Sequence, residues 1–351
     1  MIDIGTGALI LIVLALLFDK REHILAWFNR EVKNYIPEKF GTIKNEHKTL
    51  NSVVEALRSA GLETSRLILA VDFTRSNHQM GKRTFGGRSL HHIDPRCTEY
   101  SNIPEEEIVA VWAPKRGRRN SFSAGNSAYP ELATTNPELS ASAPPQLTAD
   151  EEMYILNPYQ QVIRIIGQTL KTFDDENKIY AFGFGDKKST DETVRPFHPK
   201  KAACEGFDDV IRCYNAMIET VELSGPTSFV PTINEAIRVV RQSRKYTILL
   251  IITDGEISDP EATGQAIVRA SQYPISIICV GVGDGPFDTM EVYDDELPER
   301  EFDNFQFVNF DKVINNPHVE NKAATFAMEA LMEIPEQYKA IKKLGLINKL
   351  V

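Results

Sequence analysis

Apolar residues along most of this chain fall in short unbroken runs. Four of them read RLILAVD (66–72), IYAFGFGD (179–186), YTILLIITDG (246–255) and ISIICVGVGDG (275–285). Runs of that length bounded by turn residues indicate strands covered on both faces, as in a parallel sheet. Between them, apolar residues recur with helical spacing over 157–173, 207–223, 232–243 and 261–271. LNSVVEALRSA (50–60) reads as a helix stopped by Gly61, and DNFQFVNF (303–310) as a last strand. The stretch 323–344 closes the pattern as helix, broken near Pro335. Strand and helix alternate, which predicts an α/β fold: a doubly wound, mainly parallel sheet with helices on both faces.

Two stretches depart from this grammar. Residues 4–18, IGTGALILIVLALLF, carry no charge. A bilayer-spanning helix needs roughly 20 apolar residues, so the run is short but apolar on every side. A buried or interfacial helix and a signal peptide are the rivals. Against the signal peptide, Asp3 precedes the run, and Leu16, Leu17 and Phe18 end it without small residues at a cleavage site. Residues 1–19 therefore read as a membrane anchor segment and 20–48 as a charged juxtamembrane spacer. Lys20, Arg21, Arg30 and Lys33 follow the run, which would leave the bulk of the chain facing the cytosol.

The second departure is an insert at about 94–153. Its centre, 113–150, is rich in Ser, Ala, Pro, Thr and Asn and poor in large apolar side chains. It cannot bury enough surface to offset its ordering entropy and is expected to be disordered. Arg118-Arg119-Asn120-Ser121 fits a basic-directed kinase pattern, making Ser121 a regulatory phosphorylation candidate; a chance match in a Ser-rich stretch explains it equally well.

Bulk composition adds less. The net charge of -10 argues against a general nucleic-acid binder. Cys97, Cys204, Cys213 and Cys279 lie too far apart for a zinc clip. A disulfide framework is not expected in a chain this long, which fits a reducing compartment.

The chemistry concentrates where the strands end, the edge at which open parallel sheets bind ligands. Asp72-Phe73-Thr74-Arg75-Ser76 sets a carboxylate and two hydroxyls at alternate positions, so a curled loop turns three oxygens to one point. Asp254 ends another strand at that edge, and Ser224-Gly225-Pro226-Thr227-Ser228 opens a helix with a further hydroxyl at Thr227. Each piece alone is ordinary cap or turn chemistry. Together they form an oxygen-only, partly neutral ligand set suited to Mg2+ or Mn2+, with Ca2+ admissible. Asp186, Asp284 and Asp288 should lie at the same edge, and turn chemistry explains them better than a second metal does. The pair His91-His92 reads as surface or satisfied core. Gly281-Val282-Gly283-Asp284-Gly285 lacks dinucleotide-loop spacing.

That order of residues resembles the metal-ion-dependent adhesion site of von Willebrand factor A domains. The words LILAVDFTRSN, GKRTFGGRSLHHI, LSGPTSFVPTINEAI, YTILLIITDGEI and YPISIICVGVGDGPFDTM resemble the A domain of copines. They resemble even more the A domain of plant copine-like RING ubiquitin ligases. The resemblance covers about 49–346, the insert excepted, and implies metal ligands at Asp72, Thr74, Ser76, Thr227 and Asp254. Copines place lipid-binding modules before this domain, and the plant ligases end in a RING. The sequence as given offers neither, so calcium-driven lipid binding and ligase activity are not carried over.

The function expected is a membrane-tethered, metal-dependent adaptor whose protein partner presents an Asp or Glu to the metal, without catalysis of its own. A ubiquitination cofactor lacking a RING is the alternative. A Mg2+-dependent hydrolase would need a phosphate-cradling loop or a placed general base, and the sequence supplies neither motif.

Overall fold

The computed structural model describes residues 49–95, 97, 155–173, 176–198, 200, 203–255 and 257–350. Residues 1–48, expected as anchor segment and spacer, Ser121 and nearly all of the expected insert lie outside the described residues.

Helix α1 (Leu50–Ser59) starts in a capping box, with Thr49 and Ser52 exchanging side-chain and backbone bonds. Strand β1 (Arg66–Asp72) follows and leads into a 3-10 turn, Arg75–His78. After the insert come α2 (Pro158–Leu170) and β2 (Lys178–Phe184), then the two-residue strands β3 (Arg195–Pro196) and β4 (Cys204–Glu205). Next are α3 (Gly206–Ile218), α4 (Val230–Ser243), β5 (Thr247–Thr253), α5 (Pro260–Ala270) and β6 (Ile275–Gly281). The chain closes with α6 (Asp288–Asp295), β7 (Phe305–Asn309), α7 (Phe310–Ile314), α8 (Lys322–Leu331) and α9 (Ile334–Leu344).

The strands form one sheet in the order β3-β2-β1-β5-β6-β7, with β4 also on β2. β2, β1, β5, β6 and β7 are mutually parallel, and only β3 and β4 pair antiparallel. The expected doubly wound α/β architecture is therefore the one observed. Strands sit between two helix layers, and side-chain alternation sends each strand into both. Ile68, Ala70, Leu249, Ile251, Ile277 and Phe305 join α4, α5 and α6 through Phe229, Ile233, Ala236, Ile267, Met290 and Tyr293. Leu67, Leu69 and Val71 face the other way and are also fully covered. There α3 packs on β2, α8 and α9 on β6, and α2 between α3 and α8.

The sequence pattern missed β3, β4, α6 and α7, each too short to establish a period. It also overran α3, which ends at Ile218.

The expected localisation as a membrane-anchored protein facing the cytosol is corrected. Among the described residues, no helix is long and apolar enough to cross a membrane. The longest, α4, has 14 residues. It spans about 21 Å, short of a hydrocarbon core of about 30 Å. It is also two-faced, with Ile233, Ala236 and Val240 buried while Arg238 and Arg241 are exposed.

Candidate metal centre at the sheet edge

After β2 the chain crosses over β1 to place β5 on its far side, so the winding direction reverses between β1 and β5. This is the switch point at which such sheets open a crevice. The parallel register pairs Val71 with Ile252, bringing the ends of both strands level. Asp72 closes β1 and Asp254 follows β5, and both are essentially inaccessible, at 0% and 1% exposure.

One Asp72 oxygen accepts from the Thr74 backbone N–H at 2.8 Å, and the other accepts from the Thr253 hydroxyl at 2.7 Å. Thr74 Oγ1 lies 2.9 Å from Ser76 Oγ, and Ser76 Oγ donates to Asp254 Oδ1 at 3.0 Å. Asp254 Oδ2 is buried with no hydrogen-bond partner. Burial, then the neighbouring Asp72 charge, pushes the Asp254 carboxyl up to about 8. Burial also raises Asp72, against the pull of its hydroxyl and N–H donors. Two buried carboxylates with neutral partners and one orphaned oxygen make an arrangement that a cation would relieve.

Thr227 is built in from both sides. The Ser224 N–H donates to Phe73 O at 3.2 Å and the Arg75 N–H to Ser224 O at 2.7 Å, tying this loop to the Asp72 loop. The Thr227 N–H donates to Ser258 Oγ at 3.0 Å, and Ser258 returns a backbone bond at 2.9 Å. Thr227 is only 8% exposed, so its loop is less open than its turn-like sequence suggests.

A buried polar layer behind Asp72 escaped sequence reasoning. His91 Nε2 lies 2.8 Å from Asp72 O, so that nitrogen carries the proton and donates. Nδ1 then accepts from the Tyr214 hydroxyl at 2.8 Å. Burial holds the imidazole down to about 3, keeping it neutral. Asn77 Nδ2 donates to Asp72 O and Thr74 O, and the Tyr159 hydroxyl donates to Asn77 Oδ1 at 2.7 Å. The Tyr159 ring stacks on His91 at 4.2 Å. Of the two expectations for His91, surface or satisfied core, the buried one holds, and the ring also fixes the end of β1. Only Thr253 left a trace in sequence, through its place beside Asp254 on the strand paired to β1.

Two other acidic residues at this edge are committed to loops. The Asp186 carboxylate accepts from Ser189 and pairs with buried Arg195 at 2.8 Å. Asp284 accepts from the N–H groups of Arg83 and Thr84 and from the Thr84 hydroxyl. Asp288 is exposed in the first turn of α6. Turn chemistry accounts for Asp186 and Asp284.

The copine family model matches residues 151–350. E3 ubiquitin-protein ligase RGLG3 of Arabidopsis thaliana is 38% identical over 317 residues, covering 86% of this chain and 70% of that protein. This chain belongs to the copine family. Thr227 and Asp254 lie inside the region matched by the copine model, and the Asp72 loop lies before it. E3 ubiquitin-protein ligase RGLG5 of Arabidopsis thaliana is 38% identical over 334 residues, 91% of this chain and 64% of that protein. Copine family protein 2 of Caenorhabditis elegans is 41% identical over 304 residues, 86% of this chain but 3% of that much longer protein. Copine relatives thus extend, by differing amounts, beyond what this chain spans. Among solved structures, the manganese-loaded TRAP protein of Plasmodium vivax has a TM-score of 0.37 at 10% identity, over 72% of this chain and 71% of that one. That likeness is too distant to bear on the site.

Proposed function

We propose that this copine-family domain is a metal-dependent protein-binding module. Mg2+ or Mn2+ would be held by Asp72, Thr74, Ser76, Thr227 and Asp254, and a partner's Asp or Glu would complete the shell. The observation that carries this reading is the buried, unpartnered Asp254 Oδ2 beside a second buried carboxylate and a line of hydroxyls. An oxygen set with only two charged members leaves the ion electron-poor, and an outside carboxylate is its natural further ligand. When bound, the ion supplies positive charge at the edge. The protein's part is to fix Asp72 through His91 and Asn77 and to hold Thr227 between two loops. Among the described residues no phosphate loop accompanies the set, and we infer binding rather than catalysis.

The test is a pull-down from cell lysate in Mg2+ and in EDTA, with Thr227→Ala alongside. The expected outcome is partner capture in Mg2+, lost in EDTA and reduced in the variant. Capture that is equal in all three refutes the reading. The Arabidopsis relatives named as ubiquitin ligases favour a second reading, in which the domain selects proteins for ubiquitin transfer catalysed elsewhere. Identification of ubiquitin-pathway enzymes among EDTA-sensitive partners would support it.

A further inference from the structure

Far from that edge, a second set of donor side chains converges inside the fold. Cys204 Sγ, Cys213 Sγ and an Asp209 oxygen all lie within 4.8 Å of one another, and all three residues are buried. The local chain is shaped to hold them there. β4 pairs Cys204 with Ile179 at the start of β2. Gly206 then turns the chain at φ +78°, against the Asn177 side chain, which a Cβ would meet at 2.8 Å. That corner launches α3, on which Asp209 and Cys213 stand one turn apart on the same face. Asp209 is fixed before any ligand arrives. Its Oδ2 accepts from the Glu205 N–H at 2.8 Å, and its Oδ1 accepts from Arg212 at 2.9 Å and lies 3.8 Å from Cys213 Sγ.

We infer that Cys204, Asp209 and Cys213 form a binding site for a thiophilic divalent cation of the zinc class, distinct from the oxygen-only edge. Two thiolates on one tetrahedral zinc lie about 3.8 Å apart, given zinc–sulfur bonds of about 2.3 Å, so these donors need little movement to close on an ion. Thiolate ligands select zinc over magnesium or calcium. Binding releases two protons, one from each thiol, to solvent. Two thiolates, one carboxylate, a divalent cation and the Arg212 guanidinium then sum to zero charge. A water, or the second Asp209 oxygen, fills the fourth position. A groove lined by Asn177, Glu205, Gly206 and Asp208 opens beside the corner. The hydrogen bond with Cys213, then burial, hold the Cys204 thiol well above its ordinary range, so the ion must displace a proton. The site lies at the opposite end of β2 from Phe184, the partner of Asp72. That is five residues along the strand, or about 17 Å.

The experiment is an anaerobic titration of the reduced, metal-free full chain with Co2+, followed by Zn2+ competition against a chromophoric chelator. Expected are a near-ultraviolet thiolate-to-cobalt band, its displacement by one equivalent of Zn2+, and its loss in Cys204→Ser and Cys213→Ser. Asp254→Asn should keep the band. Asp209→Asn should weaken Zn2+ binding by more than the roughly 100-fold upper cost of losing an outer partner. Affinity should rise by up to about 100-fold per pH unit as two protons leave. Should the serine variants fail to fold, thiol labelling of the wild type decides instead: Zn2+ should shield Cys204 and Cys213 and leave Cys97 and Cys279 unchanged. Absence of the band in wild type, its persistence in both folded serine variants, or a Cys204–Cys213 disulfide whose reduced form takes up no metal would each overturn the assignment.

Discussion

Ser76 and Asp254, 178 residues apart in sequence, meet at 3.0 Å, the Ser76 hydroxyl donating to one oxygen of a carboxylate whose other oxygen has no partner. The contact joins two loops at the point where the sheet reverses its winding. It also leaves two buried acids facing each other with hydroxyls between them.

Relief of that repulsion should be measurable. Mg2+ or Mn2+ is expected to raise the melting temperature of the wild type, by about 2.7 kcal/mol in stability at 100 times the Kd. Asp254→Asn should abolish the shift. In EDTA the same variant should melt above the wild type, because an amide avoids the cost of burying and protonating a carboxyl beside Asp72. Differential scanning fluorimetry reads both, and an undiminished metal response in the variant would count against the ligand assignment.

The layer behind Asp72 makes a separate prediction. Tyr159→Phe removes only the hydroxyl that donates to Asn77 Oδ1, leaving that buried oxygen unpaired. A loss of about 1–3 kcal/mol in urea unfolding is expected, in EDTA as well as in Mg2+. Metal affinity should fall too, since Asn77 holds the carbonyls of Asp72 and Thr74.

Asp284 should act as a clasp for the loop before His91. Its carboxylate gathers the N–H groups of Arg83 and Thr84 together with the Thr84 hydroxyl. Asp284→Asn turns one acceptor into a donor facing donors. Faster limited proteolysis within 80–90 is expected, with a stability loss of about 1–3 kcal/mol. Unchanged cleavage kinetics would show that the loop is held by other means.

A pH effect should arise at the opposite end of the sheet. Glu333 is 4% exposed, and burial, then the charges of Asp303 and Asp294, push it up to about 9 from an ordinary 4.5. The folded state therefore keeps a proton that the unfolded state gives up. This contribution is fully present below about 4.5 and is lost as pH rises through about 9. In EDTA, the wild type should lose stability from pH 6 to 9. Glu333→Gln should flatten that decline and raise the melting temperature at pH 8, because glutamine occupies the same place beside Gln306 and Gln337 without a charge.

Much of this architecture was legible because parallel strands covered on both faces must be written as continuous apolar runs. RLILAVD corresponds residue for residue to β1, and the run YTILLIITDG encloses β5 with one residue before it and two after. The convergence of Asp72, Thr74, Ser76 and Asp254 was legible for a related reason, since strand ends in such a sheet share an edge. The polar support was not. His91, Tyr159 and Tyr214 come from a loop and two helices, and nothing local marks a buried ring as the partner of a distant carbonyl. The Cys204–Asp209–Cys213 cluster was hidden because spacing along the chain makes the cysteines look remote. A glycine corner and one turn of helix bring them together.

The pairing of β1 with β5 also sets a clock on synthesis. Thr253, which donates to Asp72, stands 181 residues downstream of it. At roughly 5–20 residues per second, that residue is made about 9–36 s after Asp72. Through that interval β1 already carries its acidic end but lacks the strand that completes its central pairing. The nascent domain must keep an apolar strand with an acidic end from pairing elsewhere until β5 is made. The edge that carries Asp72 and Asp254 is therefore a late product of translation, formed only once most of the chain is available to close it.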